Sequence, residues 1–297
     1  MGLRGDLYSG EGLRLSPRFT LKWMPHEDVV LRANGGRGIR YANPISDNIG
    51  ILSTNKLISG VSKNKTLIHP LEDSWTIGAN ATWYLPFDED NSTYISLDYF
   101  HTNFTEQLLI DYTHDAINLY TLSSLNADES YSYTHNIQID FSTEITRGLT
   151  LTLTGRYTDA RQTLKNQKSD IKPMTSLYKG VANLQYATRL NKWIFDFTAS
   201  INGPCKVWDF MNEVDLGYQT RKGYSPTYPL LYAQVTRRFK GIDVYAGVEN
   251  ITGFVQKNPI LAHDNPWGAN FDASCIWGPL MAQKIYAGIR FTLWKTE

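Results

Sequence analysis

Arg37 and Arg40 sit three residues apart in the run Gly35-Gly36-Arg37-Gly38-Ile39-Arg40. Guanidinium groups are always charged and present planar forks that match carboxylates and phosphates. The pair could therefore form a basic rim for an anionic or metal-chelate ligand. The plainer reading is a structural clamp onto acidic neighbours, with Gly35 and Gly36 admitting a bulge. The histidines are His26, His69, His101, His114, His135 and His263. None shows the His-x-His or His-x-x-x-His spacing of a metal centre. His69, His114 and His263 fall in segments that read as loops, where a pair could still meet in space. Asp264, Asp272, Glu249 and Asn250 crowd the C-terminal quarter. Paired carboxylates can do acid–base work, but no nucleophile with a partnered base and no phosphate-cradling glycine loop accompanies them. Enzyme chemistry and a cofactor are therefore not expected. Calcium binding or ordinary polar packing are the uses open to those carboxylates. Cys205 and Cys275 are too few for a disulfide framework or a Cys-based metal site, though a bond between them is allowed in an oxidising compartment.

The elements that must position these residues alternate with period two. In Trp193-Ile194-Phe195-Asp196-Phe197-Thr198-Ala199-Ser200-Ile201-Asn202 one face reads Trp, Phe, Phe, Ala, Ile, and the other, after Ile194, reads Asp, Thr, Ser, Asn. Leu149, Leu151 and Leu153 oppose Thr150, Thr152 and Thr154, and Ile137, Ile139 and Phe141 oppose Asn136, Gln138 and Asp140. The final segment sets Ile285, Ala287, Ile289, Phe291 and Leu293 against Arg290 and Thr292. Weaker versions elsewhere bring the expected total to about 12 strands, counting a short first one near Leu3–Tyr8.

A soluble sandwich also alternates. Two features favour a membrane. Several segments approach ten residues, the length a tilted strand needs to cross a bilayer. Their connections also alternate in length: short ones at 24–28, 88–91, 146–148, 190–192 and 240–241, long ones at about 38–70, 106–130, 163–178, 203–225 and 251–280. Short turns on one rim and long loops on the other are the habit of outer-membrane barrels. The chain has 297 residues and no apolar run of 18, which excludes a helical span but not a barrel, whose strands spend half their residues on a polar lumen. Lys+Arg and Asp+Glu balance at 29 each, so nothing suggests a nucleic-acid partner. The 18 Tyr and 8 Trp suit two water–lipid boundaries. Trp23, Trp75, Trp83, Trp193 and Trp294 fall near strand ends and read as an interfacial girdle.

Three stretches carry a family resemblance. The first is Ser16-Pro17-Arg18-Phe19-Thr20-Leu21-Lys22-Trp23 with Leu31-Arg32-Ala33-Asn34-Gly35-Gly36-Arg37-Gly38-Ile39-Arg40-Tyr41-Ala42-Asn43-Pro44-Ile45. The second is Leu97-Asp98-Tyr99-Phe100-His101-Thr102-Asn103-Phe104-Thr105-Glu106-Gln107. The third is the tail, with Tyr245-Ala246-Gly247-Val248-Glu249-Asn250, Asn258-Pro259-Ile260, Pro266-Trp267-Gly268, Trp277-Gly278-Pro279 and Tyr286-Ala287-Gly288-Ile289-Arg290. Their order along the whole chain resembles the C-terminal barrel of TonB-dependent outer-membrane receptors, in the form common in Bacteroidetes. At Met281-Ala282-Gln283-Lys284 the chain departs from similar sequences, which tend to carry Gly-Arg in the middle.

The resemblance implies an all-β, antiparallel transmembrane barrel, with residues 1–297 supplying about 12 C-terminal strands of 22. It implies import of a small-molecule, metal-chelate or glycan ligand across the outer membrane. The implied partners are outer-membrane lipid, a plug domain, an N-terminal barrel half and the TonB–ExbB–ExbD system. The N-terminus Met1-Gly2-Leu3-Arg4-Gly5-Asp6 does not read as a signal peptide, so the chain is expected to be a fragment. The alternative is a small barrel closed on itself and acting as a passive pore or adhesin.

Overall fold

The computed structural model describes residues 1–8, 12–60, 70–86, 93–125, 130–164, 170–213 and 222–292. His69, the turn expected at 88–91, Leu293 and Trp294 lie outside them. In chain order the strands are β1 (Gly2–Tyr8), β2 (Gly12–His26), β3 (Val29–Tyr41), β4 (Leu57–Ser59), β5 (Leu71–Tyr84), β6 (Tyr94–Glu106), β7 (Leu108–Tyr112) and β8 (Ala116–Thr121). They continue as β9 (Ser132–Thr146), β10 (Leu149–Gln162), β11 (Asp170–Ile171), β12 (Tyr178–Ala187), β13 (Trp193–Asn202), β14 (Tyr228–Phe239), β15 (Ile242–Glu249) and β16 (Lys284–Phe291).

One large sheet runs β1-β2-β3-β5-β6-β9-β10-β12-β13-β14-β15-β16, with β11 attached to β10. Every neighbour is antiparallel and follows chain order, the up-and-down meander that the alternating connections imply. The path holds the expected 12 strands. β1 and β16 are its two edges and do not pair with each other. The open sheet fits the expected portion of a larger barrel and not the alternative of a small barrel closed on itself. A second sheet, β4-β8-β7, forms within the long connections, where only loops were expected.

Directly opposed residues of an antiparallel pair share a face, so the register sorts the chain into two surfaces. Across β5 and β6, Trp83 faces Ile95 and Ala81 faces Leu97, while Asn80 faces Asp98 and Thr82 faces Ser96. Across β12 and β13, Leu184 faces Phe197 and Asn183 faces Thr198. The apolar set is exposed: Trp23, Trp75, Trp83 and Trp193 are all at least 40% accessible, as are Ile139, Leu153 and Phe197. The polar set is knitted together. Asn80 donates to Ser96 and Asp98, Thr154 to Asp140, and Asn183 to Asp196 and Thr198. A wall with its hydrogen-bonded polar residues on one face and its large apolar residues bare on the other is inverted relative to a soluble sheet. Lipid is the solvent that accepts it.

The short-turn rim is built by tight reversals. Gly148 has φ +82°, and a Cβ there would fall 2.3 Å from the Ala187 carbonyl oxygen, so only glycine fits the turn between β9 and β10. The buried apolar clusters lie at the opposite rim, among the long connections. One joins Leu109, Tyr120, Leu122 and Leu164; the other joins Val207, Met211 and Cys275. The core of this molecule is therefore a cap of packed loops, and the sheet is its wall.

Candidate functional site

Five long connections rise from the same rim, and four of them meet at one buried ion pair. Lys56 Nζ lies 3.1 Å from the Asp272 carboxylate, with side-chain exposures of 2% and 0%. The ammonium also donates to the Thr113 carbonyl at 2.9 Å and sits 3.4 Å above the Phe210 ring. Residues 42–60, 113, 210 and 272 come from four separate connections, so this contact ties the cap together. Backbone bonds reinforce it: Asn55 N to Phe271 O, Ala273 N to Ser53 O and Leu261 N to Asp272 O.

Below the cap a cleft of ≈ 470 Å³ opens on the polar side of the wall. Arg40, Lys172, Gln107, Gln162, Tyr112 and Trp208 line it with Glu72 and Asp47. Tyr112 and Trp208 hold their rings 5.0 Å apart. Lys172 reaches solvent through the cleft, yet the protein around it lowers its pKa by desolvation, which Glu72 opposes. The cleft thus sets a guanidinium, an ammonium, two carboxylates and two amides against an aromatic wall, polar groups of both signs beside a flat apolar surface.

The two arginines singled out in the sequence part company. Arg37 faces Trp75 across β3 and β5, on the apolar outer surface, and Gly38, Ser74 and Arg40 lie on the other face. Arg37 pairs with Asp73, its Nε 2.9 Å from Oδ1, and leans on Trp75. Arg40 points to the cleft and binds Glu72 at 2.7 Å and Asp47 at 3.0 Å. Both act as clamps here, and they do not form a joint rim. Arg37→Ala is expected to cost about 1.5–3 kcal/mol, because it strands the nearly buried Asp73 carboxylate. Arg37→Lys should recover only part of that, since it loses the fork. A urea titration of the heat-modifiable folded band measures both.

The carboxylates near the C-terminus do not assemble. Asp272 joins Lys56, Glu249 pairs with Lys284 at 3.3 Å, and Asn250 donates to the carbonyls of Phe254 and Met281. No three of the described His, Cys, Asp and Glu residues gather where they could hold a metal ion. His101 and His135 do meet, directly opposed across β6 and β9 with ring centroids 4.4 Å apart. Their spacing in the chain hid this, because it depends on the lengths of three intervening segments.

Cys205 and Cys275 are free and buried, so the bond that the sequence allows between them is not formed in this structure. The Cys205 thiol lies 3.4 Å from Ser225 Oγ, and Cys275 packs against Val207 and Met211. Burial, and then Asp272, push the Cys275 thiol up to about 12. At pH 8 a thiol with that pKa is ionised roughly a thousandfold less than an ordinary one, and only the thiolate reacts. Iodoacetamide should therefore label Cys275 at least about a thousandfold more slowly in the folded chain than in urea, followed by peptide mass spectrometry.

Sequence and structure comparisons agree with this architecture. The TonB dependent receptor-like, beta-barrel family model matches residues 1–251. No curated protein matches the sequence. Among solved structures, a variant of the ferric enterobactin receptor of Pseudomonas aeruginosa superposes with a TM-score of 0.63 at 14% identity, over 97% of this chain and 41% of that one. The FrpB iron transporter of Neisseria meningitidis gives 0.60 at 13% identity, over 94% and 39%. The ferric-catecholate import receptor Fiu of Escherichia coli gives 0.59 at 14%, over 95% and 35%. The chain thus spans about two fifths of the length of these receptors, and at such identity the likeness is one of fold. The match over most of the chain, the meander of 12 spanning strands and the bare apolar outer face lead to one assignment: the chain belongs to the TonB-dependent receptor β-barrel family.

Proposed function

We propose that residues 1–297 are the C-terminal barrel portion of an outer-membrane receptor that imports a small anionic or metal-chelate ligand. The partners of that role are outer-membrane lipid, an N-terminal barrel half, a plug and the TonB–ExbB–ExbD system. The observation that carries the reading is the cleft on the polar side of the wall, under a cap made by the long connections. Arg40 and Lys172 bring a guanidinium and an ammonium into it beside the Glu72 and Asp47 carboxylates that Arg40 binds, and Tyr112 and Trp208 give it a flat apolar surface. Solved receptors of the same fold serve ferric enterobactin, ferric catecholates and iron, and catecholate chelates combine negative charge with aromatic rings. Of the sequence candidates, Arg40 belongs to this site, whereas Arg37 belongs to the outer face.

The test is uptake. The full receptor gene is expressed in iron-starved cells lacking their own catecholate receptors, with radioactive ferric catecholate as probe. The joint substitution Arg40→Ala and Lys172→Ala is expected to lower uptake at least tenfold with unchanged amounts of protein in the outer membrane. Unchanged uptake, or wild-type protein that fractionates away from the outer membrane, would overturn the reading.

A further inference from the structure

Strand β7 is a partition between two hollows in the cap. Its residues Leu108, Ile110 and Tyr112 line the cleft already described. The residues between them point the other way, as alternation along a strand requires. Leu109 joins the cluster of Tyr120, Leu122 and Leu164, against which Trp208 packs. Asp111 stands two residues on, on the Leu109 side and opposite Asn118 of β8. There a pocket of ≈ 190 Å³ is lined by Asp111, Leu164, Val207, Trp208, Asp209 and Phe210. Tyr112, Pro173 and Trp208 line both hollows, so the two adjoin.

Asp111 is only 7% exposed, and its carboxylate makes no hydrogen bond or ion pair among the described residues. A carboxylate is costly to bury unless a cation or hydrogen-bond donors meet it. Burial, and then the charge of Asp209, push its carboxyl up, the direction that a bound cation would reverse. The protein's own cations nearby are committed elsewhere. Lys206 lines the pocket, but its ammonium is held by Asp170 and lies 3.7 Å from Asp209. His114 bonds to Asp115 at 2.7 Å, and Lys56 to Asp272. Three carboxylates, Asp111, Asp170 and Asp209, thus share one ammonium, and the balance at the pocket is negative.

The cap itself shows how it holds an ammonium. Lys56 is met by the Asp272 carboxylate, the Thr113 carbonyl and the face of the Phe210 ring. Thr113 and Phe210 also line the Asp111 pocket, which adds a second buried carboxylate and a second flat ring, that of Trp208. Cations are attracted to such ring faces, most of all to tryptophan. Leu164, Val207 and Pro173 give the pocket apolar sides, and the exposed side chains of His114 and Asp209 stand at its mouth. Among the described residues no three His, Cys, Asp or Glu gather there to hold a metal ion. The donor set is that for an organic cation, with its charge at Asp111 and its stem along Trp208.

We propose that the Asp111 pocket is a binding site for a protonated primary amine carried on a short apolar stem, beside the cleft and sharing its Tyr112–Trp208 wall. The inference rests on the packing of the cap and not on the ligand proposed for the cleft.

A pair of probes with one shape and different charge isolates the claim. The full receptor is extracted from membranes in detergent, and binding of para-fluorophenethylamine is followed by fluorine NMR. The matching alcohol, para-fluorophenethyl alcohol, is the neutral probe. The amine is expected to bind the wild type at least about tenfold more tightly than the alcohol, the factor that a hydrogen bond to a charged group supplies. Asp111→Asn keeps the shape, removes the charge and should erase that preference. Asp209→Asn, at the exposed mouth, should narrow it. Glu249→Gln, a like change at the end of β15, should leave it intact. The heat-modifiable band reports the fold of each variant. No binding of the amine, or equal affinity of the two probes for the wild type, would overturn the proposal without recourse to any variant. An amine preference that survives in folded Asp111→Asn would overturn it as well, since the ammonium would then be held elsewhere.

Discussion

Lys56→Met should loosen the cap, at a cost of about 3–5 kcal/mol, because it leaves the Asp272 carboxylate buried without its partner. The magnitude follows from where the pair sits. Glu249 and Lys284 are each about half exposed, and an ion pair of that kind contributes about 0–1 kcal/mol. Lys56 and Asp272 are removed from water almost entirely, so each charge depends on the other and on the Thr113 carbonyl and Phe210 ring. Loss of one side therefore acts locally on the four connections that meet there, while the hydrogen-bonded wall persists. Since every 1.4 kcal/mol is a factor of ten, the open cap should become roughly a hundred to several thousand times more populated. Protease cleavage within residues 42–60 should accelerate by that factor, as should alkylation of Cys275, which packs beside Asp272. The double change Lys56→Met with Asp272→Leu should recover most of the loss, because two apolar groups need no partner. A Lys56→Met chain with wild-type cleavage rates would show that the pair does not hold the cap.

The wall was legible in the sequence and the cap was not, for a physical reason. In β13 the order Trp193, Phe195, Phe197, Ala199, Ile201 states the outer face outright, because a strand's side chains alternate with a period of two whatever surrounds them. The same rule could have separated Arg37 from Arg40. An odd spacing on a strand puts two residues on opposite faces, so a shared basic rim was excluded by counting alone. The His101–His135 contact needs the register between β6 and β9. That register is set by a connection that itself folds into β7 and β8. Lys56 is less accessible still. Its partner Asp272 stands near the other end of the chain, and no local periodicity records which loops will meet. In the sequence Asp272 is one of several C-terminal carboxylates, and its role comes from a lysine on a different connection. Gln107, Tyr112, Gln162, Lys172 and Trp208 gather at the cleft by the same convergence of loops.

The second large effect concerns adjacent residues of one strand. Phe197→Arg is expected to destabilise the inserted chain by about 2–4 kcal/mol, the cost of a cation on the lipid face near mid-bilayer. Thr198→Arg, one position along, should cost little. Phe197 faces Leu184 and Ala233 on the bare apolar surface, whereas Thr198 faces Asn183 and bonds with it and with Asp196. An arginine at 198 would find the Asp196 carboxylate and water; an arginine at 197 would find hydrocarbon. The pair controls for strand propensity and size, since the same residue enters the same strand and only the facing medium differs. Urea titration of the folded band in lipid vesicles reads the two costs. Equal costs at the two positions, or a larger cost at 198, would show that the Phe197 face does not meet lipid in the vesicle. The sign of the difference therefore decides which side of this wall meets lipid.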